Sequence, residues 1–213
     1  MNPRASTNSQ AGSPRTARVV LRDGRAALVA PLEPSDRERY LSGLERASPD
    51  SLFKRFLTPV TRLTESQLRY LLSVDHRDHE ALLAVDEEGG KAVGVARFIR
   101  LGEGAEVAEA AVIVVDSWQG VGLGKALSLM LAERARELDI CRFEATLLLE
   151  NLAMMGLLRS LGPVRTTGRE GAAAVVTVEL PETGIGDHMA GVLRVAAGGG
   201  VEVVDTAELP LPD

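Results

Sequence analysis

The sequence predicts an α/β fold in which a mixed β-sheet carries helices on both faces. Apolar runs rich in Val and Ala, typical of buried strands, recur along the chain, and amphipathic helical segments separate them. One such run, 112–115, leads directly into a glycine-rich turn that opens a helix. With 213 residues and 45% hydrophobic composition, the chain is long enough for one domain with a full core.

The amino-terminal part predicts a tail and then a hairpin. Residues 1–17 are rich in Ser, Asn, Pro and Ala and offer little to bury, so we expect a flexible tail. Segments 18–22 and 26–30 are short apolar-containing runs joined through Asp23-Gly24, a dipeptide that supports a tight hairpin turn. The sheet is therefore expected to open with two antiparallel strands.

Three short helices are predicted next. Pro34 stands at a first helical position, Ser48-Pro49-Asp50 starts a second helix, and the sequence 64–67 reads as a capping box for a third. For the second helix we expect a buried side made of Leu52, Phe53, Phe56 and Leu57.

The remaining elements alternate between strands and helices. Predicted strands are 81–85, 92–99, 112–115, 141–149 and 172–180, and predicted helices run from the glycine turn to about residue 138 and over 151–161. Pro181 ends the domain, whose predicted limits are 18–182. Residues 183–213, with a weak amphipathic segment at 185–197, are predicted to form an appendage that contacts a partner.

Composition excludes several classes of protein. A net charge of −6 and a pI near 5.2 argue against binding nucleic acid, which requires clustered Lys and Arg. Cys141 is the only cysteine, so neither an intramolecular disulfide nor a thiolate zinc cluster can form. No apolar run approaches the roughly 18 residues of a membrane span. We expect a cytoplasmic protein that binds no metal and no membrane.

The glycine-rich turn predicts a phosphate site. Gly120, Gly122 and Gly124 allow backbone N–H groups to converge at a helix N-terminus, which favours anions. A Walker loop is excluded because Gln119 and Ala126 replace its first Gly and its Ser or Thr. A dinucleotide fingerprint is excluded because its third Gly is missing.

The spacing Gln-x-x-Gly-x-Gly, formed by Gln119, Gly122 and Gly124, resembles the coenzyme A signature of GNAT acetyltransferases. The resemblance covers about residues 19–180. It narrows to the catalytic domain of bacterial Pat-type protein lysine acetyltransferases on four segments: Leu21-Arg22-Asp23-Gly24, Pro31-Leu32-x-Pro34-Ser35-Asp36, Ser48-Pro49-Asp50-Ser51-Leu52 and Asp75-His76-Arg77-Asp78-His79.

That resemblance implies a stand-alone catalytic module with a splayed central sheet that uses acetyl-CoA as co-substrate. The implied acceptor is a protein lysine, for example on an acyl-CoA synthetase-type enzyme. A small amine or antibiotic is the alternative acceptor, and a non-catalytic coenzyme A sensor is the alternative function. The sequence predicts no oligomeric state.

The resemblance also assigns roles to residues. Coenzyme A would contact Ile113, Val114, Val115, Gln119, Gly120, Val121, Gly122, Leu123, Gly124, Lys125 and Asn151. Val121 stands where an Arg is common in the family, so one charge contact is missing. Asn151 is equally explained as a helix N-cap. Leu158 replaces the Tyr that many relatives use as general acid, so solvent would protonate the departing thiolate.

Glu109 occupies the place of the general base. A lysine amine has a pKa of about 10.4, so its neutral form costs roughly 4.6 kcal/mol at pH 7, and some group must take the proton. Flanking alanines would partly desolvate the Glu109 carboxylate. A strand-edge glutamate without catalytic role is the alternative, and Glu106 is a neighbouring competitor.

His76 and His79 are candidates for the acceptor side of the site, where either would position or deprotonate the amine. Their acidic neighbours also allow a metal site or, more simply, a polar turn before a strand. Cys141 is predicted to be a core residue rather than a nucleophile. Trp118 is predicted to pack the glycine turn against the body of the domain.

Overall fold

The computed structural model describes residues 16–181 and 202–205. The strands are β1 (Ala17–Val20), β2 (Ala26–Pro31), β3 (His79–Asp86), β4 (Ala92–Arg100), β5 (Val107–Val114), β6 (Arg142–Leu148), β7 (Val164–Glu170), β8 (Ala173–Glu179) and β9 (Glu202–Asp205). The α-helices are α1 (Arg37–Glu45), α2 (Pro49–Phe56), α3 (Glu65–Leu72), α4 (Leu123–Glu137) and α5 (Leu152–Leu161). The predicted amphipathic segment 185–197 and most of the predicted tail 1–17 lie outside the described residues.

The strands form one sheet in the order β7-β8-β6-β5-β4-β3-β2-β1-β9. All neighbours are antiparallel except β5 and β6, which are parallel. The β5–β6 ladder contains only three residue pairs, from Val107↔Arg142 to Glu109↔Glu144. Beyond Glu109 the two strands part, and the sheet is splayed at its centre.

Helices cover both faces of the sheet, which confirms the predicted fold class. On one face α4 and α5 pack on the sheet through Leu127, Leu131 and Leu158. On the other face α1 and α3 contribute Tyr40, Leu68 and their neighbours to a second apolar cluster. Each helix presents one apolar stripe to the sheet, and this burial supplies most of the stabilisation.

The local start signals of the helices were read correctly. The Ser48 side chain caps α2 by accepting a hydrogen bond from the Ser51 N–H at 3.1 Å. Thr64 and Gln67 form the predicted capping box of α3. The predicted buried side of α2 was wrong in one respect, because Phe53 is 37% exposed whereas Ser51 is 9% exposed. Ser51 is turned inward because its hydroxyl has polar partners there, described below.

Two strands were not predicted. β7 has mostly exposed polar side chains, so it lacks the apolar alternation that marks a half-buried strand. β9 is four residues long and pairs with β1, which adds a strand to the sheet edge from within the predicted appendage. The role of residues 183–213 toward a partner stays a prediction, as do the domain limits.

A buried ion pair connects α4 to β3 under the sheet. Glu80 is 0% exposed, and its Oε2 accepts a hydrogen bond from Arg134 Nε at 3.0 Å. Its Oε1 lies 2.8 Å from His76 Nδ1. Both oxygens of this buried carboxylate are therefore hydrogen-bonded, as burial of a charge requires.

Among the helices that the structure describes, none is long and apolar enough to span a membrane.

Candidate functional site

A cleft of about 430 Å³ opens where β5 and β6 separate. One wall is β5 from Ala110 to Val114, and the opposite wall is Ala145 to Leu147 of β6. The glycine turn forms one end, and α2 lies across the cleft with Ser51 and Arg55 among its lining residues. Of the residues expected to contact coenzyme A, eight line this cleft: Ile113, Val114, Gln119, Gly120, Gly122, Gly124, Lys125 and Asn151.

The backbone of β5 has one side bonded and one side open. Val115 N–H donates to the Val93 carbonyl on the β4 side at 2.9 Å. Because alternate residues of a strand direct their backbone groups to opposite sides, Val112 and Val114 direct theirs toward the cleft. Val115 does not line the cleft and its N–H is bonded to β4, so its expected pairing with a ligand receives no support and stays a prediction.

The turn after β5 ends in a helix N-terminus that no side chain caps. Gly120 and Gly122 adopt φ values of 75° and 108°, which side-chain-bearing residues rarely adopt. Gly122 is the N-cap residue of α4, so the first amides of this helix point outward with the positive end of its dipole. This geometry can bind a phosphate.

Val121 and Leu123 do not line the cleft, so the expected contact of their backbone amides with coenzyme A stays a prediction. The Leu123 side chain is fully buried in the core beneath the turn, and the Val121 side chain packs at its margin. Trp118 is buried as predicted, with the Arg25 guanidinium 4.1 Å from its ring centroid. These three side chains hold the turn against the domain body.

A polar network fastens α2 to the turn. Asp116 accepts hydrogen bonds from the Ser48 N–H and hydroxyl, both at 2.7 Å, and from the Ser51 hydroxyl at 3.0 Å. Gln119 Nε2 donates to Ser51 Oγ at 3.0 Å and to the Val114 carbonyl at 2.9 Å. Gln119 is thus a structural brace of the cleft, because its amide joins β5 to α2.

We expect the free energy of unfolding at pH 7 to fall by about 0.5–1.5 kcal/mol in Asp116→Asn, a modest loss because the carboxylate is exposed. Partial burial acts to raise the pKa of Asp116, but hydrogen bonds from Ser48 and Ser51 outweigh it and hold the pKa below its usual range. A lowered pKa stabilises the fold above the unfolded value of about 4 and ceases to do so as the pH falls through the folded value.

The free energy of unfolding of parent and variant should therefore differ fully at pH 7, and the difference should shrink below about pH 4. Urea unfolding at several pH values measures it. Glu103→Gln, at an exposed surface carboxylate, is the control and should change little. A difference that does not depend on pH would contradict the role of the Asp116 charge.

Glu109 lies where the β5–β6 ladder ends, directly opposite Glu144 of β6. Its side chain is exposed, so the expected desolvation by neighbouring alanines was wrong. Because side chains alternate along β5, Glu109 projects from the same face of the sheet as Ile113, which packs against the α1–α3 cluster. The carboxylate is therefore reachable from solvent, but it does not line the cleft, whose first lining residue on β5 is Ala110.

Neither histidine lines the cleft, so the proposed acceptor-side role of His76 and His79 receives no support. His76 adopts a left-handed φ of 57° and its ring pairs with buried Glu80. His79 is buried, and its Nε2 lies 3.1 Å from Arg97 Nη1. Burial, followed by the Arg97 charge, lowers the pKa of His79, so this ring is neutral at pH 7.

The remaining candidates are placed clearly. The Asn151 side chain accepts a hydrogen bond from the Met154 N–H at 3.0 Å, so it is an N-cap of α5 and also lines the cleft. Leu158 is buried in the core. Cys141 is half-buried rather than in the core; burial, and then its contact with Glu106, raise the pKa of the thiol.

In the described part of the chain, no three His, Cys, Asp or Glu residues are grouped so that they would hold a metal.

Sequence reasoning missed four residues of this region: Arg55, Asp116, Ser51 and Glu144. Asp116 follows a strand directly, which is a recognisable position for a functional carboxylate. Ser51 and Arg55 are about 65 residues from the turn and gave no local signal. The alternation of β6 could have placed Glu144 beside Glu109 only with the strand register known.

Comparison with known proteins identifies the family. Residues 46–162 match the Acetyltransferase (GNAT) family. Acetyltransferase Pat of Mycolicibacterium smegmatis is 35% identical over 164 residues, 76% of this chain and 48% of that protein. Acetyltransferase PA5475 of Pseudomonas aeruginosa is 32% identical over 144 residues, 67% of this chain and 77% of that protein.

Solved structures of GNAT proteins also match this chain. The GNAT domain of S. lividans PAT superposes with a TM-score of 0.71 at 33% identity, covering 78% of this chain and 97% of that one. A cAMP-binding acyltransferase from Mycobacterium smegmatis superposes with a TM-score of 0.57 at 28% identity, covering 85% of this chain and 56% of that one. The chain therefore belongs to the GNAT acetyltransferase family. Within the family it is related to Pat, of which it spans about half the length.

Proposed function

We propose that this protein is an acetyl-CoA-dependent N-acetyltransferase whose acceptor is a lysine side chain of a protein. The observation that carries the proposal is the splayed β5–β6 junction, a cleft that runs from an uncapped helix N-terminus to Ala110, the residue that follows Glu109 on β5. A long donor with phosphates at one end and a thioester at the other fits such a cleft.

The turn and β5 would bind the donor. The amides at the start of α4 and the Lys125 ammonium would hold the pyrophosphate, since both provide positive potential there. The open backbone side of β5, at Val112 and Val114, would hydrogen-bond the amide groups of pantetheine. The same N–H groups would polarise the thioester carbonyl as charge develops on its oxygen.

The chemical step would be direct attack of the amine. Its nitrogen forms a bond to the thioester carbonyl carbon, the carbon–sulfur bond breaks, and coenzyme A leaves as a thiolate. Glu109 would take the amine proton directly or through one water, because it is an exposed carboxylate at the end of the β5–β6 ladder, next to Ala110 of the cleft wall. The thiolate would be protonated by solvent, since Leu158 is buried and has no proton to give.

The protein acceptor rests on kinship with Pat, and an acyl-CoA synthetase-type enzyme is the first candidate acceptor. The test is incubation with acetyl-CoA and a panel of proteins and small amines, with transfer measured by mass spectrometry and thiol release. Transfer to small amines alone would overturn the protein-lysine acceptor. Binding of acetyl-CoA without transfer to any acceptor would identify a coenzyme A sensor.

Gly122→Ala is expected to weaken acetyl-CoA binding about tenfold. An alanine at the φ of 108° costs about 1–2 kcal/mol, so the turn would shift and misalign the amides of α4. The dissociation constant can be measured by calorimetry. Gly168→Ala is the matched control, because its added Cβ would meet Val175 at an ordinary 3.6 Å. An unchanged dissociation constant in Gly122→Ala would show that the turn does not hold the donor.

A further inference from the structure

Arg55 is a cation that makes no hydrogen bond or ion pair in the described part of the chain. It stands in the last turn of α2, lines the cleft and is half-buried. Its guanidinium lies 4.9 Å from the ring centroid of Phe56, but no hydrogen bond or ion pair to it occurs among residues 16–181. Lys54, the adjacent residue, is by contrast paired with Asp50 at 2.6 Å.

A second guanidinium adds to the positive charge. Arg97 is 3% exposed, and among the described residues its hydrogen-bonding neighbours are uncharged: the Leu71 carbonyl, His79 Nε2 and the Tyr40 hydroxyl. Burial, and then the charge of Arg97, lower the pKa of Arg55 to about 10. Tyr40 and then Glu109 act in the opposite direction on the pKa of Arg55 and offset part of this effect.

Such an arrangement is costly in the free protein and calls for an anion. Burying a charge without a partner is unfavourable, and a strongly shifted group in a cleft marks a functional site. A guanidinium that is enclosed by protein yet open to a cleft can bind a carboxylate through two parallel hydrogen bonds. Glu109 compensates the charge of Arg55 only in part, so an anionic group of the molecule that occupies the cleft can serve as a hydrogen-bonded partner.

The position of Arg55 shows which part of the donor it would meet. Ser51, one helical turn earlier, contacts Gln119 at the phosphate end of the cleft. Arg97, whose charge acts on Arg55, pairs in register with Ala111 of β5, two residues from Glu109 and away from the glycine turn. There the strands carry small side chains, Ala110, Ala111 and Ala145, which leave room beyond a thioester.

We propose that Arg55 makes the cleft a site for coenzyme A thioesters of short dicarboxylic acids, whose terminal carboxylate its guanidinium binds. The inference rests on the proposed function and extends its donor class. The reaction is otherwise the same: the amine nitrogen bonds to the thioester carbon, the thiolate leaves, the amine proton passes to Glu109, and the distal carboxylate is unchanged.

The test compares succinyl-CoA with acetyl-CoA on one acceptor. For the parent and for Arg55→Gln, kcat/KM with each donor is measured by thiol release, and products are identified by mass. The ratio of succinyl to acetyl transfer should fall about 10- to 100-fold in Arg55→Gln, from loss of a charge-assisted hydrogen-bonded pair. Arg55→Lys should retain part of the preference for succinyl-CoA. Arg69→Gln, on the exposed side of α3, should not change the ratio of succinyl to acetyl transfer.

Each other outcome overturns the proposal. An equal loss of kcat/KM with both donors would show that Arg55 supports acyl transfer in general and does not recognise a donor carboxylate. An unchanged ratio, or no succinyl transfer by a parent that transfers acetyl, would show that no donor carboxylate is bound. A variant that alters the preference for acidic acceptor peptides, and not the donor ratio, would place the anion on the acceptor. Failure of the parent with acetyl-CoA would refute the proposed function instead.

Discussion

Replacing Glu109 with Gln is expected to lower kcat about 10²- to 10⁴-fold while leaving the affinity for acetyl-CoA unchanged. The substitution keeps the shape of the side chain but removes its ability to accept the amine proton. Because Glu109 is exposed and stands where β5 and β6 part, the fold should not depend on its charge. Thiol release gives kcat, and calorimetry gives the dissociation constant of the donor.

Two neighbouring carboxylates provide the controls. Glu144 lies directly opposite Glu109 on β6, and Glu106 precedes it on the chain. Glu144→Gln and Glu106→Gln should each retain most of the parent kcat. If Glu144→Gln loses as much activity as Glu109→Gln, the two carboxylates act together, and a single base is the wrong description. Parent-like turnover by Glu109→Gln would refute the assignment altogether.

The largest loss of stability is expected from Glu80→Ala, at about 3–5 kcal/mol. The change breaks the buried ion pair between Glu80 and Arg134 Nε at 3.0 Å, and the guanidinium keeps Glu137 and the His76 carbonyl as partners, both at 2.8 Å. Urea unfolding of the purified variant measures the effect. Glu87→Ala removes the partly exposed ion pair with Arg18 and should cost at most about 1 kcal/mol.

A double substitution identifies the origin of that cost. Replacing Glu80 with Leu and Arg134 with Met together removes both buried charges, and such apolar replacements are often neutral or stabilising. The double variant should therefore be more stable than Glu80→Ala. If it is no more stable, the loss comes from packing or from the His76 contact rather than from the broken Glu80–Arg134 ion pair.

The order of elements was largely predictable from the sequence because each has a local signal. The Asp23-Gly24 turn, the capping box at Thr64 and the glycine turn before α4 all act over a few residues. β7 escaped prediction because an edge strand with exposed polar side chains has no apolar alternation. β9 escaped because four residues are too short for a periodic pattern.

The candidate site was predictable only where it is contiguous in sequence. Gln119, Gly122 and Gly124 carry their own motif, whereas Ser51 and Arg55 reach the cleft because α2 folds back across it. The acceptor-side role of His76 and His79 was inferred because the sequence places polar side chains close together. The sequence does not show that Glu80 and Arg97 bind these rings. The burial of Glu109 was misjudged for a related reason, since flanking alanines are small and shield little.

Because the β5–β6 ladder is short, a ligand bound in the cleft would help to hold the two parts of the sheet together. Six strands on one side and three on the other meet along only three residue pairs. A molecule that fills the cleft and hydrogen-bonds the open side of β5 would continue the ladder beyond its three residue pairs, as an added strand would. Since a ligand stabilises the folded state according to its occupancy, the cohesion of the sheet would vary with the concentration of the donor.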